Sequence, residues 1–252
     1  LVLRIVPTLQ TNQRTFPQQR VGLNRLYFRK TEYKMEQQEL NEIIAKHKLW
    51  LEGKEGGIRA DLRYADLRDA NLRDADLRDA NLRDADLLGA DLSNANLRDA
   101  DLRYADLRDA DLRDADLRDA DLRDANLRDA DLLGADLSNA NLRDADLRYA
   151  DLRDADLRDA DLRDADLRDA NLLGADIIII KLPIWDAYIH AETVRIGCQH
   201  HKHDEWLSFS DEKIQKMDSG AIDWWTEYKP LIVAGIEIIK AQVAKKLAPT
   251  VF

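Results

Sequence analysis

The residue types best suited to chemistry crowd into one short stretch, Cys198-Gln199-His200-His201-Lys202-His203-Asp204. Thiolate and imidazole donors suit zinc, and Cys198 with His201 has a Cys-x-x-His spacing. A structural zinc wants four tetrahedral ligands, however, and Cys198, His200, His201 and His203 have only the distant His190 to add to them. Cys198 with a neighbouring histidine could also pair a nucleophile with its base, but no oxyanion-forming motif accompanies it. Gly-rich phosphate loops, a Gly-x-Ser-x-Gly elbow and carboxylate pairs standing apart from other patterns are all missing from the 252 residues. The expectation is a non-enzymatic chain with no cofactor and no metal. Cys198 then reads as a small buried apolar residue, and the histidines as a loop leading to a core around Trp206.

What would position such residues is dominated by a repeat. Ala recurs at every fifth position from Ala60 to Ala175, giving 24 consecutive units of the form Ala-(Asp/Asn)-Leu-X-X. The central residue is Leu from Leu62 to Leu172 and Ile177 in the last unit. A period of five fits neither the 3.6 of a helix nor a sustained strand alternation, but it suits a short extended segment followed by a corner. Ala and Leu, two apart, point to the same side of such a segment. Ala60, Ala100 and Ala140 with Leu62, Leu67, Leu72, Leu97, Leu122, Leu147 and Leu172 therefore sample the predicted interior.

The units ADLRD, ANLRD, ADLRY, ADLLG and ADLSN resemble the pentapeptide-repeat family, over 120 residues. That resemblance implies an all-β solenoid: a right-handed quadrilateral β-helix with four units per coil, about six coils, and Leu stacked on Leu. At the usual strand separation the rod is about 29 Å long. The family includes proteins that protect or inhibit type II topoisomerases by imitating duplex DNA, so DNA gyrase is an implied partner.

Charge bears on that implication. The chain carries a formal −11, which disfavours direct binding to nucleic acid or an anionic membrane and favours cationic partners. Residues 60–179 hold 33 Asp against 18 Arg, about one net charge per 1.9 Å of rod, near the ~1.7 Å of duplex DNA. Against close mimicry, Arg sits between Asp positions in each standard unit, so a solvated lattice of opposite charges is the plainer reading. Calcium is disfavoured for the same reason, and because the units lack a Gly-rich turn. Residues 72–127 also recur identically as 117–172. The offset of nine units is not a multiple of four, so Tyr104 and Tyr149, Gly89 and Gly134, and Ser93-Asn94 and Ser138-Asn139 are each turned by one face. A surface of individually specific side chains would not survive that rotation, whereas a repeated electrostatic shape would.

The flanks read as caps, which a repeat stack needs at both ends. Residues 35–59 form an N-terminal capping region, with a helix over 36–53 carrying Leu40, Ile43, Ile44, His47, Trp50 and Leu51 at helical spacing and His47 as a structural histidine. Residues 60–179 are the solenoid. Residues 180–252 read as an extended segment followed by helices, with Ser210 as an N-cap, a helical face of Ile214, Met217, Ala221, Ile222, Trp225 and Tyr228, and a further helix starting at Pro230. Trp50, Trp185, Trp206, Trp224 and Trp225, all outside the repeats, are the expected cap cores. Ile196-Gly197-Cys198, Glu205-Trp206, Phe209-Ser210-Asp211 and Trp224-Trp225 resemble the C-terminal extensions of bacterial and prophage members of the same family. An exposed face of Ile232, Ile236 and Ile239 would let two chains pair as a homodimer. Residues 1–34, basic and without hydrophobic periodicity, read as a disordered or misannotated leader before Met35. A single cysteine and no long apolar run point to the cytoplasm and to no membrane partner.

Overall fold

The computed structural model describes residues 34–247; the leader expected over 1–34 lies, but for its last residue, outside them. The backbone of one pentapeptide explains the repeat. Between Tyr64 and Gly174 every fifth residue is left-handed, with φ from 53° to 83°. The Ala N–H that follows donates to the Leu carbonyl three residues back, as Ala100 does to Leu97 at 3.0 Å. With positive φ at its third residue this is a type II turn, and it closes each corner.

All five N–H groups of a unit are thereby engaged. In the unit starting at Ala100, Ala100 bonds within the turn, Asp101 donates to Ala80 one coil below, and Leu102 and Tyr104 donate to Asp121 and Arg123 one coil above. The remaining donor, Arg103 N–H, goes to the Asp101 side chain at 3.3 Å. Parallel bridges join residues twenty apart, from Asp61 with Asn81 to Asp151 with Asn171. Four units thus separate stacked positions. Ala60, Ala100, Ala140, Leu62, Leu67, Leu72, Leu97, Leu122 and Leu147 are at most 2% exposed. Leu172 is only half-buried, because the module above does not cover its side of the last coil.

At the first coil, α1 (Gln37–Leu51) lays Leu40 and His47 against the end of the Leu column. Trp50 departs from its expected place in a cap core. It is 38% exposed and stacks on the outer side of His47 at 5.5 Å.

Beyond the last coil, an antiparallel sheet runs β1 (Ile177–Ile180), β2 (Ala187–His190), β3 (Thr193–Ile196) and β4 (Gln199–Lys202) in sequence order. Strand alternation gives it two different faces. Ile177, Ile179 and Tyr188 extend the solenoid core, whereas Ala187, Ile189, Val194 and Ile196 pack on helices α2 (His203–Ser208), α3 (Asp211–Gln215) and α4 (Ala221–Leu247). The sheet is a layer between the coil end and the helices. Ser210 caps α3 by accepting from Lys213 N–H.

Two expectations about α4 are corrected. No helix starts at Pro230, since α4 runs through it. Trp225, Ile232, Ile236 and Ile239 form one uninterrupted buried stripe, and that packing offsets the ~3 kcal/mol a mid-helix proline costs. The face expected to be free for pairing is also covered: Ile232, Ile236 and Ile239 are 0% exposed. Gly235 permits it, because a Cβ there would collide with Ile189 of the sheet. Among the described residues no helix is long and apolar enough to cross a membrane.

Candidate functional site: the carboxylate lattice and the two ends

Each unit carries two acidic positions with different work. The second residue is Asp or Asn throughout because its Oδ1 must accept the N–H two residues on, a reach that Glu with its extra methylene would overshoot. Where it is Asp, the Arg of the same unit also clasps it, as Arg123 does with Nε on Oδ1 at 2.8 Å and Nη2 on Oδ2 at 2.5 Å. Such forks hold Asp101, Asp116 and Asp146 below the usual carboxylate range, the Arg hydrogen bond being the main cause, and hold Asp166 at about 2. Where the second residue is Asn the fork is lost, and in the units of Asn71, Asn81, Asn96 and Asn126 the Arg swings on to the next residue. Arg83 pairs with Asp84 at 3.2 Å and Arg128 with Asp129 at 3.1 Å.

Freed in this way, Arg83 and Arg128 each lie over a tyrosine one coil up, Tyr104 at 5.3 Å and Tyr149 at 5.5 Å. These two pairs are the duplicated copies of one another, so the copy keeps its local contact. Other fifth-position carboxylates are the exposed remainder. Asp109, Asp124, Asp144 and Asp169 are exposed and form no ion pair among the described residues. Sequence reasoning treated this position as merely polar. The restriction to Asp, Asn and Gly, with three Tyr, was the signal for a left-handed corner.

At the first coil the exposed backbone edge is completed by side chains of the cap. Gln37 bonds both ways with Asn71, accepting from its N–H at 2.9 Å and donating to its carbonyl at 2.8 Å. His47 accepts from Ala60 N–H at its Nδ1, 3.1 Å, and its Nε2–H donates to the Arg78 carbonyl at 2.9 Å. Burial pushes its pKa down, which keeps it in the neutral tautomer that can do both.

The Cys/His stretch does not converge. Cys198 is exposed in the β3–β4 turn, which corrects its reading as a buried residue. The histidines lie not in a loop but on β4 and at the start of α2, and a strand sends neighbours to opposite faces. His200 turns to the solenoid, with Nε2 3.2 Å from Asp159 Oδ1 but off the hydrogen-bonding direction. His201 packs edge-on to Trp206 and Phe209, and His203 is buried, donating to the His190 carbonyl at 3.0 Å. Among the described residues no three His, Cys, Asp or Glu side chains gather as a metal site. Trp206, Trp224 and Trp225 are buried in the second core, with Trp185 half-buried beside them.

The solenoid face of the sheet carries the other polar contacts. Thr193 Oγ1 donates to Asp159 at 2.8 Å and Arg195 lies 3.8 Å from Asp161. His190, 1% exposed, has no hydrogen-bond partner at either ring nitrogen among the described residues; the Leu157 backbone lies near it without the right geometry. Burial pushes its pKa down to about 4.

The family model described as pentapeptide repeats matches residues 58–94, 80–119, 105–144, 120–159 and 145–178. HetL from the cyanobacterium Nostoc sp. strain PCC 7120, a pentapeptide repeat protein involved in heterocyst differentiation regulation, is 40% identical over 47% of this chain and 62% of its own, with a TM-score of 0.31. A pentapeptide repeat protein of the Arabidopsis thaliana thylakoid lumen is 35% identical over 35% of this chain and 66% of its own, TM-score 0.29. Another from Nostoc PCC 7120 is 40% identical over 44% of this chain and 76% of its own, TM-score 0.23. The likeness lies in the repeated sequence, and superposition at these TM-scores adds nothing to it. The chain spans less than two thirds of the length of HetL. No curated protein matches it.

Proposed function

Since the chain belongs to the pentapeptide-repeat family, we propose that it is a non-enzymatic interaction solenoid that meets cationic partners through its fifth-position carboxylates and makes its specific contacts at its two ends. In this reading the coil is right-handed and four-sided, with about six turns, and the twenty-residue bridges support four units per turn. The observation that carries the proposal is the division of the carboxylates. Second-position Asp is spent on backbone and Arg, while Asp109, Asp124, Asp144 and Asp169 stay exposed and without ion pairs among the described residues. The lone Cys198, exposed, suits a cytoplasmic setting. Pairing of two copies through α4 would draw on exposed apolar residues such as Leu231 and Ile238, and sedimentation of a Leu231→Glu variant tests it.

A variant with Asn at 109, 124, 144 and 169 should bind immobilised polylysine more weakly, with a shallower dependence on salt between 50 and 200 mM. Unchanged binding would sink the proposal. The second reading, imitation of duplex DNA toward gyrase, is favoured by the residual charge of about one per 1.9 Å. Inhibition of supercoiling that weakens in the same variant supports it, and no effect at micromolar excess removes it.

A further inference from the structure

The C-terminal module contains a cavity of about 70 Å³ between the β3–β4 turn, α3 and the first turn of α4. Its walls are largely indole, from Trp185, Trp206, Trp224 and Trp225, and Asp218 is the one carboxylate of the lining. Gly197 shapes one wall: it sits at φ 53°, and a Cβ there would lie 3.0 Å from the Trp185 ring. Trp185 meets Trp224 edge-on at 5.6 Å, and Trp206 stacks on Trp225 at 5.4 Å. Trp224 is 4% exposed and its Nε1–H has no acceptor among the described residues. Asp218 is exposed at the rim. Its Oδ1 accepts from Gly220 N–H at 3.1 Å and from Ser219 at 3.4 Å, and no hydrogen bond among the described residues falls on Oδ2.

We propose that this cavity binds a small alkylammonium headgroup, held against indole with Asp218 as counter-charge. The module already treats its own ammonium groups this way, with Lys213 Nζ 3.6 Å from the Phe209 ring centre and Lys229 Nζ 5.3 Å from that of Trp225. A cavity of this size has room for a compact headgroup. A formal charge of −11 on the chain raises the local concentration of cations. The site is independent of the carboxylate lattice, so either proposal can fail without the other.

Indole fluorescence reads the test directly, since only Trp50 lies outside the module. The full chain is titrated with choline and with its neutral isostere 3,3-dimethylbutan-1-ol. Choline should saturate and bind roughly ten-fold more tightly. Asp218→Asn, at an exposed position, should weaken choline by about three-fold, and Ala221→Leu, which fills the cavity from α4, should abolish the response with the circular dichroism unchanged. In a parallel arm, a trimethyl-lysine peptide and its norleucine counterpart distinguish a protein-borne headgroup from a free amine. A cationic preference in either arm supports the site. Equal binding of cation and isostere in both arms, no saturable response, or a choline response that survives Ala221→Leu would overturn it.

Discussion

Where α1 meets the first coil, the buried imidazole of His47 has both nitrogens engaged by backbone groups; where β2 meets the last coil, the equally buried imidazole of His190 has neither. The first junction is polar complementarity to a fixed target, because the turn geometry of every unit dictates where Asn71, Ala60 and Arg78 present their groups. The second is apolar coverage with polar groups left over. Ile177 and Tyr188 join the core and Leu157 and Leu162 are fully buried, but Leu167 and Leu172 stay half-buried, Leu173 is 75% exposed, and Arg195 Nε joins His190 without a partner among the described residues. An unpartnered buried polar group costs about 1–3 kcal/mol. Closing a hydrophobic column and completing its hydrogen bonds are therefore separable tasks, and the two ends differ in the second.

Acid should separate the ends from the repeat by the largest margin. His190, held near 4 when folded and close to 6.5 when unfolded, contributes stability that is complete above pH 6.5 and lost as pH falls toward 4. The loss is on the order of 3 kcal/mol. His200 and His203 are lowered mainly by burial, so they act in the same window and direction. The forked carboxylates have the opposite sign, their stabilisation being present above the unfolded value near 4 and lost only below it. Tryptophan fluorescence should thus change between pH 6.5 and 4 while the far-ultraviolet signal of the repeat persists. Simultaneous loss of both signals would erase the distinction.

The same substitution at the two histidines should then have opposite signs. His47→Leu strands the Ala60 N–H and the Arg78 carbonyl and should cost about 2 kcal/mol in urea denaturation at pH 7.5. His190→Leu removes an unsatisfied polar ring, so it should gain about 1 kcal/mol and flatten the acid step seen by fluorescence. Smallest of all is Asp124→Asn, an exposed left-handed corner that Asn also tolerates, with an expected change within about 0.5 kcal/mol.

The interior of the repeat was legible because Ala and Leu two apart admit only one inward side, and burial of Leu62 through Leu147 follows from that spacing. The corner was equally present in the sequence, as the exclusion of Glu from the second position and the Asp, Asn or Gly that fill the fifth wherever Tyr64, Tyr104 and Tyr149 do not. It went unread because both look like ordinary surface polarity until the turn's hydrogen bonds are followed. The C-terminal module hid more. An apolar stripe such as Ile232, Ile236 and Ile239 carries no mark of what covers it, and the covering sheet includes a strand, Gln199–Lys202, with no hydrophobic alternation at all. Pro230 misled for a related reason, since its cost is local while the stripe that outweighs it spans four turns.

The bridging of residues twenty apart has one more consequence. Any whole pentapeptide can be inserted or deleted without breaking the ladder, but each one advances everything above it by a fourth of the stacking period. In the four-sided coil proposed above, length and azimuth are therefore geared together. There the nine-unit offset between residues 72–127 and 117–172 amounts to two whole periods and one unit more, so adding such a block would both lengthen the rod and re-aim its C-terminal module about the axis. Related rods differing by one unit would present their two ends at different dihedral settings, so a partner that touches both ends reads the repeat number as an angle.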